Sequence, residues 1–232
     1  MTFNKIDYKD KYFSFLGDSI TTFEGYNPKN ALVYYEGQPG NIFGIEKVED
    51  TWWGQLLNEL DAKLLVNDAY SGSTVAQAHF LMMYPAASSP LRLKNLAKED
   101  KKPDVIVIFM GTNDFYNGVP LKSERVDYSG FENAYDYILR SLKDKYPEAE
   151  IWLMTVPKTK EKNNPNFVFP DSFGGIRLEE YNEIIRFLAD KYQVRLVDIY
   201  REDRPYESLD GSHPTKLGMV EIYESVMTSL EK

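Results

Sequence analysis

The chain has 232 residues, 43% of them hydrophobic and 27% charged, which is the size and composition of an ordinary globular α/β domain. Its formal net charge of -9 argues against nucleic acids and anionic membranes as partners, because both repel an acidic surface. The absence of cysteine excludes a disulfide framework, thiolate metal ligands and cysteine catalysis.

Strand-like and helix-like segments alternate along the chain. Apolar runs predict five strands, at residues 12–16, 63–69, 103–110, 150–156 and 194–199. Helical periodicity predicts helices at 51–60, about 73–83, 91–97, 131–146, 176–191 and 215–230, the fourth opened by a capping box of Ser129 and Glu132. This alternation predicts a three-layer αβα domain over residues 1–232, with a five-stranded parallel sheet and right-handed crossovers. We expect the flavodoxin-like strand order 2-1-3-4-5.

Two connections, at about 25–50 and 158–175, are longer than the roughly 2–6 residues usual between a strand and a helix. Long loops in compact domains are commonly functional or mobile. Their aromatic side chains fit a local core and the wall of a substrate pocket equally well. These side chains are Tyr34, Tyr35, Phe167 and Phe169.

Small or polar residues follow three predicted strands: Ser19 after the first, Gly72 after the second and Asn113 after the third. In the predicted order these strands are neighbours, so the three residues leave the sheet at one edge. A serine hydroxyl is a good nucleophile only when a base takes its proton, and Asp210 and His213 offer a base and the carboxylate that orients it. The backbone N–H groups of Ser19 and Gly72 and the Asn113 amide are candidate oxyanion donors.

The residues at the strand ends also have a structural interpretation. The stretch Gly17-Asp18-Ser19 is common in turns, and Gly72 fits a tight turn. Asn113 and Asp114 are frequent turn formers as well. Each residue taken alone is therefore a weak functional signal, and only their combination favours chemistry.

The histidines and their carboxylate neighbours leave alternatives open. Asp210 also fits a cap of the last helix, and Asp198 and Asp203 compete with it as partners of His213. The second histidine, His79, lies within a predicted helix, where a surface or hydrogen-bonded histidine is the commoner case. A carboxylate three residues before the better placed histidine favours Asp210 in the orienting role.

Four segments together resemble the SGNH hydrolases of the GDSL lipase/esterase superfamily. Gly17-Asp18-Ser19-Ile20 matches the nucleophile block, with isoleucine where that family often has leucine. Gly72 matches the glycine block, and Gly111-Thr112-Asn113-Asp114 matches the asparagine block. Asp210-Gly211-Ser212-His213-Pro214 matches the terminal block, and all four occur in the family's order over residues 15–214. The two long loops exceed the family's compact minimum, so the resemblance does not indicate substrate size.

The resemblance implies a Ser-His-Asp esterase on a flavodoxin-like sheet. We expect no metal and no cofactor, because the two histidines lie in unrelated segments and no carboxylate cluster shows ligand spacing. Ser19, His213 and Asp210 are then the catalytic residues, and Ser19, Gly72 and Asn113 form the oxyanion hole. The expected supporting residues are Asp18, Gly111 and Asp114.

Hydrolysis of carboxylic esters is therefore the leading functional hypothesis. An acetylated carbohydrate is the first substrate class, and a lysophospholipid or acyl thioester is the second. Acyl transfer to a sugar hydroxyl uses the same residues and stays open. A non-catalytic flavodoxin-type module that binds phosphate or flavin is the remaining alternative, but it leaves Asp210 and His213 without a role.

The expected surroundings of the protein follow from its polarity. No apolar run approaches the about 20 residues of a membrane helix, and the polar amino-terminal residues show no signal-peptide core. We expect no stable membrane insertion and, by default, a cytoplasmic protein. A chain from which a signal peptide had been removed would show the same sequence. The expected partner is a small-molecule or carbohydrate ester and not a nucleic acid, and the sequence leaves the oligomeric state open.

Overall fold

The structure, a computed structural model, describes residues 3–77, 85–124 and 127–232. Strands and helices alternate through most of these residues. In chain order the elements are β1 (Tyr12–Gly17), α1 (Trp52–Glu59), β2 (Lys63–Ala69), α2 (Pro90–Lys94), β3 (Val105–Phe109), α3 (Thr112–Tyr116), α4 (Phe131–Lys145), β4 (Glu150–Met154), β5 (Thr159–Glu161), β6 (Ser172–Phe173), β7 (Ile176–Arg177), α5 (Leu178–Tyr192), β8 (Arg195–Val197), β9 (Tyr206–Ser208) and α6 (Lys216–Leu230).

The main sheet has five parallel strands in the order β2-β1-β3-β4-β8. Counted along the sheet's own strands this is the order 2-1-3-4-5, so the predicted flavodoxin-like topology is confirmed. Strand β1 lies between β2 and β3, with Gly17 opposite Ala69 on one side and Phe109 on the other. The three strands therefore end in register at one edge of the sheet.

Helices cover both faces of the sheet, and β3 shows how the sequence produces this. Its alternate residues Val105, Val107 and Phe109 pack in the same cluster as α1 and α6, whereas Ile106 and Ile108 pack with α4 and α5. None of the five is more than 2% exposed, so a strand covered on both faces is apolar at every position. Each such side chain contributes roughly 1.5–3 kcal/mol by leaving water.

The predicted capping box at α4 is wrong. The helix begins at Phe131, and Gly130 is its N-cap without a side-chain hydrogen bond. The first free N–H groups, of Phe131 and Glu132, donate instead to the carbonyl oxygens of Pro120 and Leu121, both at 2.9 Å. Loop carbonyls therefore satisfy this helix end, so no serine hydroxyl is needed there.

The two long connections differ from each other. The segment predicted as a loop at 158–175 contains β5, which pairs with β9, and β6, which pairs with β7. The partner of β5 is remote in sequence, and β6 and β7 form a hairpin with only two residues in each strand, so the local pattern predicts neither pairing. The segment 25–50 has one 3-10 turn, Val48–Asp50, and buries Tyr35 and Ile45.

Several predicted boundaries also shift. The strands predicted to reach 156 and 199 end at Met154 and Val197. Residues 73–77 of a predicted helix are not helical, and the rest of that prediction, including His79, falls on 78–84, outside the described residues. Of the helices that the structure describes, none combines the length and the apolar character needed to cross a membrane.

Candidate active site

Ser19 lies directly after β1, where it begins a 3-10 turn, Ser19–Thr21. The preceding Asp18 caps this turn, since its Oδ1 accepts the Ile20 N–H at 3.0 Å. A Cβ on Gly17 would lie 2.5 Å from the Thr21 Cβ, so only glycine lets the turn fold back on the strand. Burial raises the pKa of Asp18 to about 6, against the lowering effect of the Ile20 N–H. The turn thus holds the Ser19 hydroxyl at the carboxyl edge of the sheet.

The Ser19 hydroxyl, the His213 ring and the Asp210 carboxylate form a continuous chain of contacts. His213 Nε2 lies 3.0 Å from Ser19 Oγ, and His213 Nδ1 lies 2.7 Å from Asp210 Oδ2. Asp210 Oδ1 accepts the backbone N–H groups of Ser212 at 3.0 Å and His213 at 2.7 Å. Partial burial raises the pKa of Asp210, but its hydrogen bonds to His213 and Ser212 outweigh this and hold the pKa well below its usual range.

The rival carboxylates lie elsewhere. Asp198 pairs with Arg186 at 2.8 Å and Arg201 at 3.4 Å. Asp203 closes the 3-10 turn Ile199–Glu202 in a left-handed conformation. The cap of α6 is Thr215, whose hydroxyl accepts the Gly218 N–H, so Asp210 does not cap that helix.

The predicted oxyanion donors lie just beyond the ends of β1, β2 and β3, which are side by side at one edge of the sheet. Gly72 has a φ of 73°, and the Ser73 N–H donates to the Tyr70 carbonyl, so the turn interpretation of Gly72 also holds. Asn113 Nδ2 donates to the Ser73 carbonyl at 2.9 Å, which places the Asn113 amide beside the Gly72 segment. Within the described part of the chain, no acceptor takes the Ser19 or Gly72 backbone N–H. These two groups are therefore free to receive an anionic oxygen.

The remaining predicted supporting residues tie α3 to the Gly72 segment. Asp114 is fully buried, and its two oxygens accept the Val75 N–H at 2.8 Å and the Ala76 N–H at 3.1 Å. Burial raises the pKa of Asp114 to about 7, against these two hydrogen bonds. Gly111 turns the chain from β3 into α3 with a φ of 125°, and a Cβ there would meet the Val156 side chain at 3.0 Å.

Arg92 is a further part of the site that sequence reasoning missed. Its guanidinium is 1% exposed, and its Nε donates to Asp68 Oδ2 at 2.7 Å. The other nitrogens donate to Ser73 Oγ at 2.6 Å and to the Gly17 carbonyl at 3.0 Å. One buried cation thus joins the ends of β1 and β2 to the residue that follows Gly72. The available signal was an arginine between the apolar residues Leu91 and Leu93 in a predicted helix.

The aromatic residues of the long loops mostly belong to the protein interior. Tyr35 is buried and donates its hydroxyl to the Pro214 carbonyl at 3.0 Å. Phe169 stacks on Phe115 with ring centroids 5.7 Å apart. Tyr34 is neither simply part of a local core nor the wall of a substrate pocket, since its ring stacks on the His213 ring with centroids 3.5 Å apart.

A cleft of about 630 Å³ lies beside the loop that carries Asp210 and His213. Thr159 and Phe167 line it, and both reach that loop: the Thr159 hydroxyl donates to the Gly211 carbonyl at 2.6 Å, and a Cβ on Gly211 would lie 3.2 Å from the Phe167 ring. In the described ranges, no three His, Asp or Glu side chains are grouped to hold a metal ion.

Comparison with known proteins gives consistent results. The sequence model of the GDSL-like Lipase/Acylhydrolase family matches residues 11–168, more than half of the chain. This range contains Ser19, Gly72 and Asn113 and ends before Asp210 and His213. Curated proteins give no match.

Two solved structures of candidate GDSL-like lipases are similar over nearly their whole length. One, from Bacteroides uniformis, is 29% identical, with 98% of each chain covered and a TM-score of 0.71. The other, from Bacteroides ovatus, is 27% identical, with 95% of this chain and 97% of that chain covered and a TM-score of 0.70. The chain therefore belongs to the GDSL-like lipase/acylhydrolase family and is an ester-hydrolysing enzyme.

Proposed function

We propose that the protein hydrolyses carboxylic esters with Ser19 as nucleophile, His213 as general base and acid, and Asp210 as the orienting carboxylate. One observation carries this proposal. The Ser19 hydroxyl, both nitrogens of the His213 ring and the Asp210 carboxylate lie in series at 3.0 and 2.7 Å. A nucleophile within hydrogen-bond reach of a base that is itself oriented by a third group is the arrangement that serine acyl transfer needs.

The reaction follows from these contacts. Ser19 Oγ attacks the acyl carbon while its proton passes to His213 Nε2, and the N–H groups of Ser19 and Gly72 and the Asn113 amide receive the oxyanion. The imidazolium then protonates the leaving alkoxide, and the alcohol departs. Water attacks the acyl-enzyme with His213 as base, which releases the acid and restores Ser19. Because Asp210 stays ionised, it keeps the proton of the neutral ring on Nδ1.

The nucleophile is tested by Ser19→Ala, assayed with p-nitrophenyl acetate and a fluorophosphonate probe. We expect turnover to fall by a factor of at least about 10³ and labelling to vanish, because the attacking oxygen is gone. Ser225→Ala is the matched control, since the Ser225 hydroxyl donates only to the Glu221 carbonyl within α6. A well-folded Ser19→Ala protein with wild-type turnover contradicts the proposal.

We propose an acetylated carbohydrate as the substrate class. Support comes from the turns that follow β1, β2 and β3, where small or polar residues predominate beside the larger Tyr70 and Met110. The small or polar residues include Ser19, Ser71, Gly72, Ser73 and Asn113. The acidic net charge of -9 also disfavours an anionic lipid surface. Tyr34 and Phe169 stack on other residues, so their rings do not support sugar stacking, and the proposal depends on the small acyl group.

A longer acyl chain is the second candidate, and the cleft beside Gly211 favours it. Phe167, Val168 and Leu178 give that cleft an apolar side, and Val168 is 82% exposed. A series of p-nitrophenyl esters from acetyl to octanoyl separates the two candidates. A kcat/KM that falls steadily with chain length supports an acetyl ester, and a maximum at octanoyl overturns it. Val168→Asp lowers activity selectively on octanoyl only if the cleft holds the chain.

A further inference from the structure

Tyr34 contacts two of the three residues proposed for proton transfer. Its ring lies parallel to the His213 ring, with centroids 3.5 Å apart and an angle of 7° between the planes. Its hydroxyl donates to Asp210 Oδ2 at 3.2 Å, the same oxygen that His213 Nδ1 approaches at 2.7 Å. We propose that Tyr34 is a positioning residue that holds this histidine and this carboxylate in line and stabilises the imidazolium formed during the reaction. The inference rests on the proposed function.

The nucleophile turn fixes the backbone of Tyr34. The Tyr34 N–H donates to Thr22 Oγ1 at 2.9 Å, and the Thr22 hydroxyl donates to the Ser19 carbonyl at 2.8 Å. One threonine side chain therefore links the tyrosine to the residue that attacks the ester. These two hydrogen bonds hold the backbone of Tyr34 in a fixed position relative to Ser19.

The ring of Tyr34 is fixed from the opposite side by the start of α6. It packs edge-on against Tyr35 and Phe43, with centroids 5.1 and 5.3 Å away. The Tyr35 hydroxyl donates to the Pro214 carbonyl at 3.0 Å, and the Phe43 carbonyl accepts the Lys216 N–H at 2.8 Å. The aromatic group is thus anchored to the chain directly after His213.

The parallel stack favours the charged form of the histidine ring. Two neutral aromatic rings avoid direct face-to-face contact, because their electron-rich faces repel each other. A cation over the face of a tyrosine is attracted to it. During turnover the neutral His213 ring gains its positive charge when it takes the Ser19 proton, so the stack stabilises the transition state more than the resting state.

The hydroxyl of Tyr34 acts in the opposite direction on the same proton. Burial and the neighbouring Asp210 raise the pKa of Tyr34, so the phenol keeps its proton and remains a donor. By donating to Asp210 Oδ2 it holds the carboxylate in place, but it also withdraws charge from the oxygen that stabilises the imidazolium. The ring and the hydroxyl are therefore separable contributions.

Two variants separate them, assayed with p-nitrophenyl acetate. Tyr34→Phe keeps the stack and loses the hydrogen bond, and we expect kcat to fall about twofold to fivefold. Tyr34→Leu loses both, and we expect kcat to fall about tenfold to thirtyfold with KM within about threefold of wild type. Tyr26→Leu is the matched control: Tyr26 belongs to the same loop and packs on Phe23 and Trp53, away from His213. Its kcat should stay within about twofold.

Titration of the His213 ring by NMR gives a readout that does not need activity. The groups that act on this ring are Asp210, Tyr34, Ser19 and the buried Asp18. Tyr34→Phe should move the titration midpoint to higher pH than wild type, because Asp210 then loses a competing donor. The midpoint in Tyr34→Leu should lie at lower pH than in Tyr34→Phe, because the two variants differ in the aromatic stack on His213.

The outcomes separate the inference from the proposed function. Identical midpoints in all three proteins, or a KM increase as the sole effect of Tyr34→Leu, overturn the role of Tyr34. If wild type neither reacts with a fluorophosphonate at Ser19 nor cleaves esters, the proposed function fails. In that case the order of the three titration midpoints still tests whether Tyr34 influences the protonation of His213.

Discussion

Different kinds of contact hold the two sides of the active site. On the nucleophile side, buried ionisable groups fix the segments around Ser19, since Arg92 is 1% exposed and Asp114 is 0% exposed. On the acid–base side, Asp210 keeps 45% of its side chain exposed, and loop contacts hold the His213 ring. The nucleophile side is thus part of the core, whereas the acid–base side, with Asp210 and His213, forms a partly exposed rim of the site.

This difference separates stability from chemistry. A buried charge must keep its partners for the chain to fold, so the nucleophile side couples site geometry to the free energy of unfolding. A partly exposed carboxylate contributes little to folding, but it controls the tautomer on which proton transfer depends. Substitutions on the two sides should therefore differ in which quantity they change.

The largest expected effect is on turnover, from Asp210→Asn. An amide in place of the carboxylate favours the wrong tautomer of His213, and we expect kcat on p-nitrophenyl acetate to fall by about 10³–10⁴. The free energy of unfolding should change by about 1 kcal/mol or less, because the side chain is partly exposed and an amide oxygen still accepts N–H groups. Steady-state kinetics and urea unfolding measure the two quantities.

Asp203→Asn is the control for that variant, since Asp203 lies at the end of a 3-10 turn rather than in the catalytic loop. It should leave both kcat and stability near wild type. If Asp210→Asn keeps more than about a tenth of the wild-type kcat, the carboxylate does not orient the base. If it instead unfolds the protein, the proposed contrast between the two sides fails.

Arg92→Met should have the largest effect on stability. It leaves Asp68 buried without its cation and removes a donor from the Gly17 carbonyl, and we expect the free energy of unfolding to fall by about 3–5 kcal/mol. The double variant Arg92→Met with Asp68→Leu should regain part of this loss, since no charge remains buried. Urea unfolding measures both.

Arg201→Met is the matched control, because the Arg201 side chain is 66% exposed. It should change stability by no more than about 0.5 kcal/mol. A double variant less stable than Arg92→Met would falsify the view that an unpaired buried charge causes the loss. An Arg92→Met protein as stable as wild type would remove the distinction between a buried and a rim side.

The contrast between the two sides also sets how far the sequence predicts the structure. The strand order and the three strand-end residues follow from local patterns, because a strand covered on both faces is apolar throughout and a turn must end it. The His213 contact follows from combining those patterns with the family's order of blocks. The contacts of Arg92 depend on carbonyl groups far away in the sequence, such as that of Gly17, which no periodicity reveals.

The same limit applies on the rim. The stack of Tyr34 on His213 requires a loop path that the residue pattern does not encode, so only its aromatic character was visible. The pairing of β5 with β9 joins two short segments that are too polar and brief to predict as strands. Local rules thus predict the sheet and its edge, whereas contacts between remote loops decide how the edge is completed.

A smaller effect, on the order of 1–3 kcal/mol, should appear as a pH dependence of stability from Asp114. Burial raises its folded-state pKa to about 7, while an unfolded aspartate titrates near about 3.9. Between these values the folded chain binds more protons than the unfolded chain, so stability falls as pH rises from about 4 to about 7. Asp18, with a pKa of about 6, contributes in the same direction.

Asp114→Asn isolates this contribution through the difference in unfolding free energy between wild type and variant across that pH range. The amide cannot ionise, but it offers one oxygen to the N–H groups of Val75 and Ala76, so the variant should be less stable at every pH. The difference in the free energy of unfolding between wild type and variant should be largest near pH 4. It should shrink towards pH 7, because ionisation of Asp114 destabilises the wild type alone. If this difference is the same at every pH, ionisation of Asp114 does not affect the stability of the fold. The nucleophile side then depends on Arg92 and neutral hydrogen bonds alone.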